Sequence, residues 1–274
     1  MFYIYKNIKI HYEIIGEGKP VIILHGLGCD SNQMKGCLEP IFKNHKNHKR
    51  VYIDLPGMGK SDDLLKYASS DKILEIILSF IENIVSEKFL IIGDSFGGYL
   101  ARGVLSKLNK KVDGIMLLCP VVIPNEKNRN LPNSKVKFID ENFINELDNK
   151  YKNDFLEYGV IVDRKVYDRY VKEIQPGLKI SDEDFINLLK ENYDFSFDVD
   201  NEIHKIKYNK PALFITGRQD NCVGYNDLWN LMGDYKRASF SVIDMAGHNL
   251  QIEQPQIFNA LVDSWLYSIE NYRI

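Results

Sequence analysis

A tight turn between an apolar run and a helix-forming stretch constrains the fold of this chain more than any other feature. The run Phe89 to Ile92 leads into Gly93-Asp94-Ser95-Phe96-Gly97, and Gly98 to Leu108 follows with helical character. A strand that turns sharply into a helix lifts its central Ser out of the sheet in a strained conformation, which requires small residues two before and two after it. The pattern therefore predicts strand, turn and helix, with Ser95 as a nucleophile facing the helix's unpaired N–H groups and positive dipole end.

Strands and helices alternate along most of the chain. Phe2 to Ile15 alternates apolar and polar residues around Lys6-Asn7, which predicts an antiparallel hairpin at a sheet edge. Asp71 to Ser86 and Pro255 to Ile269 carry apolar residues at the helical period. Such alternation predicts an α/β fold, with a mostly parallel sheet covered by helices on both faces. The strands of this sheet are expected at Val21 to Leu24, Val51 to Asp54, Phe89 to Ile92, Val112 to Leu118, Ala212 to Thr216 and Ser239 to Ile243.

A serine hydroxyl needs a base to take its proton and an acid to orient that base. His248 follows the strand-like run Ala238 to Ile243, and Asp220 follows the run Ala212 to Thr216. Because the carboxyl ends of parallel strands meet at one sheet edge, we expect both side chains to lie close to Ser95. The alternatives are a helix-capping role for Asp220 and a surface or packing role for His248.

The order Ser95, Asp220, His248 along the chain resembles that of the α/β-hydrolase superfamily, and the resemblance covers nearly the whole chain. His25-Gly26-Leu27-Gly28 resembles the oxyanion loop of that family, and Asp54 to Asp62 resembles its loop after the next strand. The resemblance implies an α/β-hydrolase fold with an oxyanion hole formed by the backbone N–H groups of Leu27 and Phe96.

Three further positions have a role implied by the same resemblance. Some family members keep the acid after the preceding strand, but this chain has Cys119-Pro120 there, so the alternative acid is missing. In similar proteins the positions of His25 and Asp54 chiefly hold loops together.

About ninety residues between Pro120 and Lys210 interrupt the alternation and are too many for a simple crossover. Lys135 to Lys152, Asp163 to Glu173 and Asp182 to Asn192 are predicted as helices. Similar proteins carry a helical cap over the serine at this point, which implies a hydrolase core at 1–120 and 208–274 and a cap at 121–207. We expect most aromatic residues of the insertion to form its own core: Phe138, Phe143, Tyr151, Phe155, Tyr158, Tyr167, Tyr170, Phe185, Tyr193, Phe195 and Phe197.

The distribution of charge argues against a nucleic-acid-binding protein. The formal net charge of -3, without an extended basic stripe, argues against nucleic-acid binding. The basic stretch Lys43 to Arg50, with His45 and His48, is interpreted as a solvated loop; an anion contact or a weak metal site is the alternative.

Nothing in the sequence predicts export or a membrane anchor. The first residues lack a basic region before a long apolar stretch, and no apolar run approaches the roughly 20 residues that cross a bilayer. A cytoplasmic protein without membrane association is expected. The sequence does not predict its oligomeric state. The four cysteines show neither disulfide nor zinc-finger spacing, which fits a reducing compartment: Cys29, Cys37, Cys119 and Cys222. Cys29 and Cys222 lie near the predicted site loops, and a packing role is favoured over a pocket role for both.

Taken with the resemblance, these features predict a serine hydrolase that acts through an acyl-enzyme on a small-molecule substrate, a carboxylic ester with a small or medium acyl group. It is expected to require no metal or organic cofactor. Relatives with the same three residues also cleave carbon–carbon bonds, remove N-terminal residues from peptides or carry out cofactor-free halide and peroxide chemistry, so these alternatives stay open. A peptidase would need acidic groups in the cap for the free amine, and Glu173, Glu191 and Glu202 are the candidates. A non-catalytic ligand-binding module is the alternative of another class.

Overall fold

The computed structural model describes residues 1–132 and 137–272, except for the side chains of residues 149, 150, 151 and 154. All six strands expected in the parallel sheet are present, with ends within three residues of those predicted. The strands described are β1 (Phe2–Tyr5), β2 (Ile8–Ile15), β3 (Lys19–Leu24), β4 (His48–Ile53), β5 (Phe89–Asp94), β6 (Val112–Leu118), β7 (Phe138–Ile139), β8 (Ile161–Val162), β9 (Ala212–Gly217) and β10 (Ala238–Ile243).

One eight-stranded sheet forms the centre of the molecule, in the order β1-β2-β4-β3-β5-β6-β9-β10. The predicted N-terminal hairpin is confirmed, since β1 pairs antiparallel with β2, and β2 pairs antiparallel with β4. Across the rest of the sheet, from β4 through β3, β5, β6 and β9 to β10, all neighbouring strands pair in parallel. The sheet is therefore mostly parallel, as the alternation of strands and helices predicts.

Helices cover both faces of this sheet. Helices α1 and α12 pack against each other, and α2 packs against α3. Burial of Ile73, Leu74, Ile77, Phe80 and Ile81 on α2 follows the predicted helical period. The helices described are α1 (Ser31–Phe42), α2 (Ser70–Ile84), α3 (Phe96–Leu108), α4 (Glu141–Glu146), α5 (Asn149–Tyr158), α6 (Arg164–Glu173), α7 (Gln175–Ile180), α8 (Glu183–Glu191), α9 (Val199–Ile206), α10 (Asn226–Trp229), α11 (Leu250–Glu253) and α12 (Pro255–Asn271).

The segment between β6 and β9 is mainly helical, as expected, but one of its predicted helices is wrong. The prediction of one helix from Lys135 to Lys152 fails because residues 138–139 form β7, which pairs with β8, and residues 133–136 lie outside the described residues. The Asp140 carboxylate then accepts hydrogen bonds from the N–H groups of Asn142 and Phe143 and begins the separate helix α4. The other two predicted helices are present as α6 and α8.

Two apolar clusters divide this segment. A cluster formed largely by α4 to α6 packs around Phe155, Val162 and Val166, and includes Cys29 and Ile252 from outside the segment. The later part packs into the main core instead, through residues such as Phe185 and Tyr193. The segment therefore rests on the sheet domain over its second half and has an apolar centre of its own in its first half.

The basic stretch from Lys43 to Arg50 is only in part the solvated loop that its charge suggests, since Lys43 and Lys46 lie exposed in a loop. Strand β4 begins at His48, and the side chains of His45, His48 and Arg50 are buried. Arg50 forms two hydrogen bonds with the carboxylate of Glu39 on α1, at 3.0 and 2.7 Å. The charge of Arg50 is therefore paired between the sheet and α1, whereas those of Lys43 and Lys46 face solvent.

Within the described part of the chain, every helix is too short or too polar to cross a bilayer.

Candidate active site

Ser95 lies at the sharp turn between β5 and α3 that the sequence predicts. Its backbone has φ 51° and ψ −114°, a conformation that residues other than glycine rarely adopt. A Cβ atom on Gly93 would lie 2.3 Å from the carbonyl oxygen of Gly97, and one on Gly97 would lie 2.4 Å from that of Leu24. Glycine is required at both positions because the backbones of strand and helix approach so closely there.

The structure brings the three predicted side chains together at the carboxyl edge of the sheet. The Oγ atom of Ser95 lies 2.9 Å from Nε2 of His248, and Nδ1 of His248 lies 2.9 Å from Oδ2 of Asp220. The other carboxylate oxygen of Asp220 accepts hydrogen bonds from the N–H groups of Cys222 (2.8 Å) and Val223 (3.0 Å). Asp220 is thus fixed from both sides, and it fixes the imidazole ring in turn.

Electrostatic interactions set the charge of this pair. Burial raises the pKa of Asp220, but the His248 imidazole and the backbone N–H donors outweigh it and hold the pKa below its usual value. Burial lowers the pKa of His248, but the neighbouring Cys222 thiol and the Asp220 carboxylate raise it well above its usual value. Asp220 therefore stays ionised and stabilises a positive charge on the imidazole.

The loop after β3 approaches the start of α3 beside Ser95. Leu27 lies in this loop and lines the same cavity as Ser95, and Phe96 is the first residue of α3. The first N–H groups of a helix have no acceptor within it, so that of Phe96 is available near the serine. The two residues predicted as oxyanion donors, Leu27 and Phe96, thus lie near Ser95 on two different elements.

His25 and Asp54 connect loops, which is the role that the resemblance implies. The Nε2 atom of His25 accepts a hydrogen bond from the N–H of Leu55 at 2.9 Å, which fits a neutral ring because burial lowers the pKa of His25. The Asp54 carboxylate accepts from the N–H groups of Ser31 (2.9 Å) and Lys60 (3.0 Å). Neither residue is among those that line the cavity over Ser95.

Two thiols flank the His248–Asp220 pair. Cys119 is fully buried at the position of the alternative acid, and burial raises the pKa of its thiol well above the usual value. Its sulfur and one ligand atom each of Asp220 and His248 lie within 4.8 Å of one another, so these three residues are the candidate metal ligands here. Cys222 is partly exposed and lines the cavity, as Cys29 does, so both have a pocket position besides packing.

A cavity of about 810 Å³ lies over Ser95, between the sheet domain and the inserted segment. The walls are mainly apolar, and three of the aromatic residues expected in the cap core, Tyr158, Tyr170 and Tyr193, line it; the side chain of Tyr151 lies outside the described residues. Five exposed charged residues of both signs also line the cavity: Glu126, Lys127, Glu157, Lys190 and Asp194.

None of the three carboxylates considered for a peptide amine lines this cavity. Glu173 is buried and bonded on both oxygens by Arg169, at 2.7 Å each. Glu202 pairs with Lys205, and Glu191 is exposed elsewhere. The three acidic groups on which the peptidase alternative depends are therefore absent from the cavity.

Asp94 and Gln33 also line the cavity with Ser95, and neither was predicted from the sequence as a site residue. Oδ2 of Asp94 accepts a hydrogen bond from the Gln33 amide at 2.9 Å, and Gln33 accepts one from the N–H of Gly26 at 2.9 Å. Burial raises the pKa of Asp94 to about 7. The sequence feature that could have indicated this role is the acidic side chain of Asp94, directly before Ser95 and after an apolar strand.

Comparisons with known proteins agree with this geometry. The family model described as alpha/beta hydrolase fold matches residues 19–255. An alpha/beta superfamily hydrolase from Oenococcus oeni is 33% identical, with a TM-score of 0.89 over 99% of this chain and 100% of the other. The chain therefore belongs to the alpha/beta hydrolase fold family, and the predicted class of enzyme, a hydrolase, is confirmed.

Two more distant relatives have more specific names. A 2-hydroxy-6-oxononadienedioate/2-hydroxy-6-oxononatrienedioate hydrolase from Paraburkholderia phymatum is 24% identical over 95% of this chain and 91% of its own. An esterase from Exiguobacterium antarcticum has a TM-score of 0.68 at 18% identity, over 96% of this chain and 97% of the other, which indicates a shared fold alone.

Proposed function

We propose that this protein is a serine hydrolase that cleaves carboxylic esters through an acyl-enzyme. The observation that supports it best is the unbroken hydrogen-bond chain from Ser95 through His248 to Asp220, with both distances at 2.9 Å. This arrangement joins a nucleophile, a base and an orienting acid in the geometry that acyl transfer requires.

In the proposed reaction, the Ser95 oxygen attacks the ester carbonyl while Nε2 of His248 takes its proton. Asp220 holds the Nδ1–H and stabilises the imidazolium that forms. The N–H groups of Leu27 and Phe96 bind the oxyanion, each contributing about 3 kcal/mol to lowering the barrier. His248 then protonates the leaving alcohol, and it activates a water molecule that releases the acid from Ser95.

We also propose that residues 121–207 act as a cap on a core formed by residues 1–120 and 208–274. Ile174, Leu178 and Ile186 of this segment line the cavity opposite Ser95. A wall of this kind excludes water from the acyl group and limits its length. The exposed residues that line the cavity carry charges of both signs, which favours an uncharged ester over a strongly anionic substrate.

A second candidate is the hydrolysis of an unsaturated oxo-acid at a carbon–carbon bond. It is favoured by the name of the Paraburkholderia phymatum relative, which aligns over 95% of this chain. Lys127 and Lys190 line the cavity and are the groups that would face such an anion.

The test compares the wild-type protein with Ser95→Ala, using p-nitrophenyl esters of increasing acyl length and a fluorophosphonate probe. We expect both turnover and labelling to disappear in the variant, because no other group can replace the serine oxygen. The chain-length optimum of the wild type would then measure the acyl pocket. Turnover retained by Ser95→Ala would contradict the proposal, and labelling without ester turnover would favour the second candidate.

A further inference from the structure

The buried carboxylate of Glu253 accepts hydrogen bonds from two parts of the chain: the loop that carries His248, and the inserted segment. Glu253 ends α11 and is 5% exposed. Its Oε2 accepts a hydrogen bond from the N–H of Gly247 at 2.6 Å, and its Oε1 accepts from the N–H of Val160 at 2.6 Å and of Ile161 at 3.4 Å. All three donors belong to the backbone, so the carboxylate fixes main-chain positions on both sides.

Gly247 directly precedes His248, so its position sets the direction from which the imidazole reaches Ser95. A Cβ atom on Gly247 would lie 2.8 Å from a methyl group of Val160 and 3.2 Å from the carbonyl oxygen of Tyr158. The loop and residues 157–161 are thus in direct contact, and Glu253 bonds the two across that contact.

The segment of residues 157–161 also borders the cavity and contacts the loop that carries the acid. Glu157 and Tyr158 line the cavity, and the Glu157 carbonyl accepts a hydrogen bond from the side chain of Asn221, next to Asp220, at 3.3 Å. The same short segment therefore touches the two loops that carry His248 and Asp220 and forms part of the cavity wall.

Only a group that accepts hydrogen bonds on both sides fits between these donors. A carboxylate has two acceptor oxygens, whereas the amide of Gln has one oxygen and an NH₂ group that would face an N–H. Burial raises the pKa of Glu253, and the N–H donors partly offset this shift by stabilising the charged form. The chemistry of the site thus requires Glu at this position rather than any buried polar residue.

We propose that Glu253 is a positioning residue that couples the seating of residues 157–161 to the placement of His248. This inference rests on the proposed function for its effect on turnover, and on the structure alone for the coupling of the two segments. When the cap segment is seated, the carboxylate holds Gly247 and aligns the imidazole with Ser95. When either side is released, the imidazole loses its alignment and the cavity wall near Tyr158 loosens.

The test is Glu253→Gln, with Glu39→Gln as the matched control. Glu39 is also bonded on both carboxylate oxygens, by Arg50, but it lies on α1 away from the cavity. In Glu253→Gln we expect kcat for a short p-nitrophenyl ester and the rate of fluorophosphonate labelling to fall together by about 10- to 100-fold, since small misplacements of a catalytic group have effects of that size. KM should rise more for long acyl chains than for short ones. Glu39→Gln should keep wild-type values.

Amide hydrogen exchange gives a measurement that does not depend on catalysis. In Glu253→Gln the N–H groups of Gly247 and Val160 should both exchange at least about tenfold faster, with no such change in Glu39→Gln. If the Gln variant does not fold, Glu253→Asp applies the same test, because its shorter side chain cannot span both donors.

Wild-type kcat and labelling in Glu253→Gln, faster exchange on one side only, or an equal loss of activity in Glu39→Gln would each overturn the proposal. If the wild-type protein cleaves no ester but the two N–H groups still lose protection together, the coupling stands and the proposed function fails.

Discussion

At the scale of single residues, the site concentrates backbone strain. Ser95, Cys119 and Met245 have φ values of 51°, 39° and 51°, and they follow three strands of the parallel sheet at the same edge. Each such conformation costs about 1–3 kcal/mol and persists only where its surroundings enforce it. Hydrogen bonds enforce the conformation of Ser95, because its carbonyl oxygen accepts from the N–H groups of Gly98 and Val121, both at 3.0 Å.

The thiol of Cys222 should control the pH dependence of catalysis. His248 must be neutral to accept the serine proton, and burial lowers its pKa while Cys222 and Asp220 together raise it well above its usual value. We therefore expect kcat/KM to rise with pH along a limb whose midpoint lies above the usual histidine range. Cys222→Ala should move that midpoint down, because it removes a neighbouring group that favours the imidazolium.

The measurement is kcat/KM for a short ester from about pH 5 to about pH 10 in both proteins. Cys37→Ala is the control, since Cys37 is buried in α1 and should leave the midpoint at the wild-type value. A wild-type midpoint at the usual histidine pKa, or the same midpoint in Cys222→Ala, would contradict this account.

At the scale of elements, α3 connects the nucleophile to the inserted segment. The side chain of Arg102 on α3 is fully buried and forms an ion pair with Asp200 on α9, whose side chain is partly exposed. The hydroxyl of Tyr235 lies beside the same guanidinium group. The helix that begins next to Ser95 thus forms an ion pair, nearly two turns later, with the last helix before β9.

Removing one partner of this pair should be more damaging than replacing both. Asp200→Ala leaves the buried Arg102 charge without its partner. Breaking a fully buried pair in this way typically costs about 3–5 kcal/mol in the free energy of unfolding, and the cost here should be smaller because solvent already screens the partly exposed Asp200. The double variant Arg102→Met with Asp200→Leu should lose less, because apolar side chains of similar size leave no unpaired charge. Urea denaturation of the two variants measures the difference, and a double variant at least as unstable as the single one would rule out this explanation.

At the scale of the whole molecule, the sequence could predict the site because each site residue lies in the turn or loop that follows a strand. Ser95, Asp220 and His248 come after apolar runs that are easily recognised, and strand direction then brings them to one edge. Contacts across long separations could not be predicted in the same way. Glu253 meets Val160 93 residues away, and the strand at residues 138–139 exists only because β8 pairs with it. Local charge was equally misleading for His45, whose partners lie on α12.

The attachment of α12 to the rest of the molecule should make global stability depend on pH. Nδ1 of His45 lies 3.0 Å from Glu270 and Nε2 lies 3.0 Å from Asp263, so the ring can donate to both carboxylates only as an imidazolium. Burial lowers the pKa of His45, but these two hydrogen bonds outweigh it and raise the pKa above its usual value. A pKa raised in the folded state contributes stability that is complete below the unfolded pKa of about 6.5 and is lost as the pH rises through the folded value.

His48 opposes this trend and must be separated from it. Burial lowers the pKa of His48, so its contribution is lost as the pH falls below about 6.5. We expect His45→Asn to lower Tm by a few degrees below neutral pH and by progressively less as the pH rises above it, whereas His48→Asn should flatten the acid side of the profile. Thermal unfolding of both variants and the wild type, from about pH 5 to about pH 9, gives the answer. An effect of His45→Asn that is the same at every pH would mean that packing, rather than the imidazolium, holds α12 in place.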